Sequence, residues 1–176
     1  MRWSEQFVEL DKKVHNRSSF DCGEQELNIF IQTQAAKHMA AGISKTLVLP
    51  AVDALSNGMF PICSFYTITP TSIERKTLPK ALSKKLPHYP VPAFLLAQLA
   101  VDVACHKRGL GKITLIKALE KLWGITSQMN AYVVIVDCLN DDARQFYEKY
   151  GFEMLSHQNG KDRLFIRMKT IGGLFG

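Results

Sequence analysis

The sequence predicts one α/β domain of the α+β kind, covering residues 1–176 and built on a mixed sheet. Three observations carry that prediction. The chain has 176 residues, 47% hydrophobic and 22% charged, which is the composition of an ordinary globular protein. At that length a single core buries roughly 70% of the surface the unfolded chain exposes. From Phe94 to Gly151 apolar strand-like runs alternate with helical patterns, which demands parallel pairing through right-handed crossovers. Asn57-Gly58 and Asn159-Gly160 each stand between β-rich runs and mark antiparallel hairpins.

Taken in order, Asp21 followed by Glu24 has the form of a capping box, and Leu27, Phe30, Ile31 and Ala35 recur at helical spacing. A helix is expected from about Gly23 to Ala41, stopped by Gly42. Lys45–Val52 and Met59–Ile68 form the first hairpin. Thr71–Pro92 changes character: Arg75, Lys76, Lys80, Lys84 and Lys85 face one acid, Glu74, and Pro79, Pro87, Pro90 and Pro92 interrupt any long periodicity. It reads as a basic surface segment holding a short helix or turn. Phe94–Val103 is a nearly unbroken apolar run, a central strand covered on both faces. Ile113–Met129 is a helix with Ile113, Ile116, Leu119, Leu122 and Trp123 on its buried side. Ala131–Val136 is a second buried strand, and Asn140 caps a helix with Asp141 and Asp142 in its first turn, ended by Gly151. Phe152–His157 and Arg163–Lys169 close the sheet as a hairpin, leaving a short Gly-rich tail.

Several function classes drop out. No run approaches the ~20 apolar residues of a membrane helix, and the first thirteen residues lack the apolar stretch and cleavage site of a secretory signal, so a cytoplasmic protein with no membrane partner is expected. Cys22, Cys63, Cys105 and Cys138 form no C-x-x-C pair and have no His at zinc spacing. Reduced, mostly buried thiols are expected, with no metal site. The net charge of +6 suits a polyanionic partner such as nucleic acid or a phosphorylated cofactor, and equally a mildly basic solvated surface.

The most informative stretch is Leu99-Ala-Val-Asp-Val-Ala-Cys-His-Lys-Arg-Gly-Leu-Gly-Lys112, where a buried strand passes through a basic, glycine-bearing turn into a helix. Unpaired N–H groups at a helix start carry the positive end of the dipole, and glycine lets an anion approach the main chain. His106, Lys107, Arg108 and Lys112 add charge around Gly109, Leu110 and Gly111. A Walker P-loop fails, because Gly111-Lys112 is followed by Ile113 and the upstream glycine is missing. A dinucleotide fingerprint fails as well, because Thr114 stands where the third glycine belongs. A tight turn with solvated Lys and Arg is the bland alternative.

His106-Lys-Arg-Gly-Leu-Gly111 resembles the diphosphate-wrapping motif of the GNAT acetyltransferases, with His where that family usually has Arg or Gln. Asn140 and Ala143-Arg-Gln-Phe-Tyr-Glu-Lys-Tyr-Gly-Phe152 look like the family's second motif. The resemblance implies a mostly antiparallel sheet with central parallel strands flanked by helices. It implies acetyl-CoA as co-substrate, held by His106 through Lys112, by Asn140, and by main-chain groups of Leu99, Ala100 and Val101. It makes Tyr147 the general acid for the departing thiolate, whereas the bland reading of Tyr147 is a side chain covering the end of the core. Asp102 is a weaker candidate, for general base, since an Asp at a strand end is more often a turn ligand. An α-amino group with reference pKa of about 7.7 to 8, lowered further by an adjacent ester, is largely neutral and needs little help, unlike a lysine amine near 10.4.

Phe20–Ile31, Pro90-Val-Pro92 and Leu99-Ala-Val-Asp102 extend the similarity to the acetyltransferase toxins of bacterial type II toxin–antitoxin systems. That resemblance implies acetylation of the α-amino group of aminoacyl-tRNA and inhibition of translation. It also implies a ribbon-helix-helix antitoxin and a homodimer. On this reading Arg75, Lys76, Lys80, Lys84 and Lys85 contact tRNA phosphates; a solvated face or a dock for an acidic antitoxin tail are the alternatives. The competing function is acetylation of a small amine or a protein N-terminus.

Overall fold

A computed structural model describes residues 1–176. The strands are β1 (Val8–Glu9), β2 (His15–Asn16), β3 (Lys45–Pro50), β4 (Phe60–Ile73), β5 (Val91–Val101), β6 (Val133–Asp137), β7 (Glu153–Gln158) and β8 (Lys161–Arg167). The helices are α1 (Gln25–Ile29), α2 (Ala35–Ala40), α3 (Lys80–Ser83), α4 (Leu110–Ile125), α5 (Asp141–Lys149) and α6 (Met168–Phe175). The sheet runs β1-β3-β4-β5-β6-β8-β7, with β2 against β4. β1/β3, β3/β4, β6/β8 and β7/β8 are antiparallel, whereas β5/β6 and β2/β4 are parallel. This is the mixed α/β architecture expected, with two short N-terminal strands in addition.

The chain divides into two compact units, Met1–Thr69 with Ala97–Ala118, and Pro70–Leu96 with Leu119–Gly176. In the first, Phe20, Phe30, Ile31, Val48, Ile62, Phe65 and Ala100 form one core cluster, with Phe20 edge-on to Phe65 at 5.2 Å. Leu49, Cys63, Cys105 and Leu110 form another, flanked by Trp3 and Phe7. In the second unit, Ile73, Leu78, Val91, Ala93, Val133, Ile135 and Phe165 pack together. All four cysteines are buried.

Local chemistry explains where the elements depart from expectation. The Asp21–Glu24 capping box does not form. Asp21 Oδ1 accepts from the Gly23 N–H and from Asn28 Nδ2, while Asn28 Oδ1 takes the Cys22 N–H. Asn28 thus reaches back to brace the turn, and Glu24 occupies the cap position without a side-chain capping bond. The helix that follows is interrupted by a π turn over Phe30–Gln34, so it begins at Gln25 and resumes at Ala35. β4 runs five residues beyond Ile68, to Ile73.

Helix α4 begins at Leu110, three residues before Ile113, because the Leu110 side chain is itself part of the core. Its buried side is Leu115, Ala118, Leu119 and Leu122; Ile113 and Ile116, placed on that side by periodicity, are exposed. It ends at Ile125 rather than Met129, where the Thr126 and Ser127 hydroxyls bond back to the Trp123 and Gly124 carbonyls and compete with the backbone ladder. The tail is not loose: Met168–Phe175 is helical. Its Gly172 lies so close to Trp123 that an added Cβ would meet the ring at 2.6 Å, so the glycines that suggested a tail permit close packing.

Candidate functional site

In the first unit, the candidate cofactor residues form one continuous path: the end of β5, a turn, and the start of α4. Asp102 opens the turn. Its Oδ1 accepts from the Ala104 N–H at 2.8 Å and its Oδ2 from the Asp21 N–H at 3.1 Å. That is the turn-ligand role, with each carboxylate oxygen accepting from a backbone N–H. Val103–Cys105 follows as a single 3₁₀ turn.

Lys107 and Gly109 then take φ of +62° and +77°. The left-handed conformation costs an L-residue roughly 1–2 kcal/mol, a cost glycine escapes at position 109. Beyond them α4 runs for 16 residues, long enough for a full dipole, and its first amides belong to Leu110, Gly111 and Lys112. The Leu110 side chain is buried, so only its main chain is available to a ligand.

The basic side chains here serve different ends. His106 Nε2 bonds the Val101 carbonyl at 2.7 Å, tying the turn back to the strand it left. Arg108 lies 4.3 Å over the Trp3 ring and donates to the Met1 carbonyl. Lys107 and Lys112 are exposed. The site is therefore chiefly main-chain, a geometry suited to a diphosphate.

On β5 the Ala100 carbonyl accepts from Ser64 Oγ at 2.9 Å. β6 pairs with β5 only from Ala93↔Val133 to Leu95↔Ile135, although it pairs with β8 as far as Asp137↔Arg163. Ser64 and Thr114 were not singled out from sequence.

In the second unit, Asn140 caps α5 through Oδ1, which accepts from the Ala143 N–H at 2.9 Å. One turn on, Tyr147 is buried, with its ring edge-on to Phe146 and Phe152, each 5.3 Å away. Burial, and secondarily the neighbouring Cys138, push the phenol above the ordinary tyrosine range, so it stays protonated at neutral pH. The Cys138 thiol is itself pushed up to about 11, first by burial and then by Asp162 and Asp137. Arg144 pairs with Asp162 at 3.1 Å and with Glu148 at 3.4 Å, fixing the face of α5.

Of the five basic residues between β4 and β5, Arg75 is committed within the segment, donating to the Ser83 carbonyl at 2.7 Å and lying 3.2 Å from His88 Nδ1. Lys76 pairs with Glu74 across solvent. Lys80, Lys84 and Lys85 are exposed, while Leu78, Leu82 and Leu86 turn into the core. The second unit also holds a cleft of about 720 Å³ whose walls include Tyr89, Pro92, Trp123 and Tyr132. No sequence pattern marks it, because its walls come from three separate stretches.

Residues 82–152 match the acetyltransferase (GNAT) family. Over 159 residues the chain is 28% identical to a tRNA-acetylating toxin of Mycobacterium tuberculosis, covering 90% of each chain. Its fold is similar to that of AtaT in complex with acetyl-methionyl-tRNAfMet, at TM-score 0.85 and 26% identity over 97% of this chain and 99% of that one. It is also similar to AtaTR bound with AcCoA, at TM-score 0.82 and 27% identity over 97% and 98% of the two chains.

Proposed function

We propose that the chain, an acetyl-CoA-dependent N-acetyltransferase whose residues 82–152 match the GNAT family, transfers the acetyl group to the α-amino group of aminoacyl-tRNA, as the toxin of a type II toxin–antitoxin system. The observation that carries this reading is the similarity, over nearly the whole of both chains, to a structure holding an acetylated aminoacyl-tRNA.

In this reading acetyl-CoA supplies the thioester, and residues 106–112 take its diphosphate, with the α4 amides and the left-handed turn at Lys107 and Gly109 forming the cradle. Main-chain groups of Leu99, Ala100 and Val101, together with Asn140, belong to the same binding set. The acceptor amine attacks the thioester carbon, the C–S bond breaks, Tyr147 gives its proton to the departing thiolate, and the proton shed by the attacking nitrogen leaves to solvent, from which the phenolate is reprotonated. The phenol is protonated at neutral pH, as the role of acid requires, while its burial lowers its strength as an acid. The attacking nitrogen needs no strong base if it is an α-amine next to an ester, because most of it is neutral near pH 8. Lys76, Lys80, Lys84 and Lys85 meet tRNA phosphates, and Arg75 shapes the segment that carries them. The same reading brings a ribbon-helix-helix antitoxin, a homodimer, a cytoplasmic site of action and one catalytic domain spanning residues 1–176.

The test is transfer of radiolabelled acetyl to charged and to deacylated tRNA. Label is expected only on charged tRNA, and it should be lost with Tyr147→Phe. Label on peptide N-termini or small amines, with none on charged tRNA, would replace the acceptor assigned here.

A further inference from the structure

Two buried hydroxyls form a continuous path between two main-chain carbonyls. Ser64 Oγ, on β4, donates to the Ala100 carbonyl at 2.9 Å and lies 2.7 Å from Thr114 Oγ1, which in turn lies 2.7 Å from the Leu110 carbonyl. Both side chains are fully buried. The path links β5, where the thioester end of the co-substrate is read to lie, to the first turn of α4, where its diphosphate is read to lie.

The protons on this path can be counted. Each hydroxyl has one, so two protons serve three contacts. If Ser64 donated to Ala100 and Thr114 to Leu110, two oxygens 2.7 Å apart would face each other with lone pairs alone. The Leu110 carbonyl stands four residues before Thr114 and receives the helical N–H of that residue, so it can spare the hydroxyl proton. With the Thr114 proton on Ser64 and the Ser64 proton on the Ala100 carbonyl, the one contact left without a proton is that at the Leu110 carbonyl, which already holds its helical N–H.

We propose that Ser64 and Thr114 are positioning residues that lock the end of β5 to the start of α4, so that the two stretches of main chain addressed by acetyl-CoA keep one fixed spacing. This rests on the reading that the turn holds acetyl-CoA. Neither hydroxyl touches the co-substrate; each acts through the backbone it holds. Thr114, which disqualified the dinucleotide fingerprint, thereby acquires a use that a glycine could not fill.

The test compares Ser64→Ala, Thr114→Val and Thr114→Ser. Ser64→Ala removes the bond to Ala100 and cuts the path, and should raise the KM and Kd for acetyl-CoA about tenfold, roughly the worth of one buried hydrogen bond, with kcat at saturation changed less than about twofold. Thr114→Val cuts only the half toward α4 and should do less, and Thr114→Ser should restore wild-type binding. Without ligand, hydrogen exchange in Ser64→Ala should speed up at Gly111–Ile113 as well as at β5, although Ser64 touches no backbone of α4. If Ser64→Ala and Thr114→Val lower the melting temperature yet bind acetyl-CoA like wild type, the pair only packs the core and the proposal is wrong. If wild type itself binds no acetyl-CoA while the coupled exchange is seen, the lock stands and the reading of the turn fails instead.

Discussion

Between His106 and Lys112 four basic side chains crowd one turn, and between Arg75 and Lys85 five crowd a surface segment. In the turn, His106 holds the Val101 carbonyl and Arg108 covers Trp3, while the backbone at Lys107 and Gly109 takes the left-handed shape that presents amides. In the segment the backbone is an ordinary short helix between core leucines, and Lys80, Lys84 and Lys85 project into solvent. Two basic stretches of similar appearance thus differ in what they present: one its main chain, the other its charge. Counting basic residues does not tell the two apart, whereas backbone conformation does.

The largest expected effect separates chemistry from both regions. Tyr147→Phe should lower kcat by about 10²-fold or more, the usual scale for losing a general acid, while acetyl-CoA affinity and tRNA affinity stay at wild-type values by calorimetry and filter binding. In wild type, the raised phenol pKa keeps the acid form present, so kcat should show no alkaline limb below the ordinary tyrosine range near pH 10.

Next comes Gly109→Val, which forces a β-branched residue to φ of +77°. The Kd for acetyl-CoA should rise by about tenfold or more, in line with a left-handed penalty of roughly 1–2 kcal/mol plus the loss of close anion approach. A Cβ at this position meets nothing within 4 Å, so the loss comes from conformation and not from collision. Wild-type affinity in this variant would mean that side chains, not main chain, carry the turn.

Third is the Lys80, Lys84, Lys85→Ala triple. It should leave the KM for acetyl-CoA unchanged, weaken charged tRNA, and flatten the plot of log K against log salt by about two to three, since each lost phosphate contact removes roughly 0.7–0.9. An unchanged salt slope would assign the segment to another partner. The smallest effect belongs to Arg108→Ala. An exposed cation–π contact is worth about 0.5–1 kcal/mol, so a melting temperature lower by a few degrees is expected, with acetyl-CoA affinity reduced less than in Gly109→Val.

What the sequence made legible was the chemistry settled within a few residues. Asn140 caps α5 as expected, because a cap needs only an Asx side chain and an amide three residues on. Asn159-Gly160 closes the β7/β8 hairpin for an equally local reason, with both residues at positive φ, whereas Asn57-Gly58 lies within a longer loop between β3 and β4. Legibility ended where a distant residue decided. Asn28 displaced the capping box at Asp21, Trp123 made Gly172 a helical contact point, and the core around Leu49 and Cys63 drew Leu110 inward and started α4 a turn early. The site followed the same rule. The glycine turn and Tyr147 stood out in their own segments, but the commitments of Asp102, Arg75 and the Ser64–Thr114 path depend on partners that only folding brings together.

The central claim is that the acetyl group goes to the amino acid carried on tRNA. Mass spectrometry of nuclease-digested tRNA, isolated after brief expression of wild type and of Tyr147→Phe, tests it most directly. The account predicts N-acetyl-aminoacyl adenosine from wild-type cells and its near absence from the variant. Aminoacyl adenosine without acetyl in both samples, under wild-type expression that still arrests growth, would contradict it.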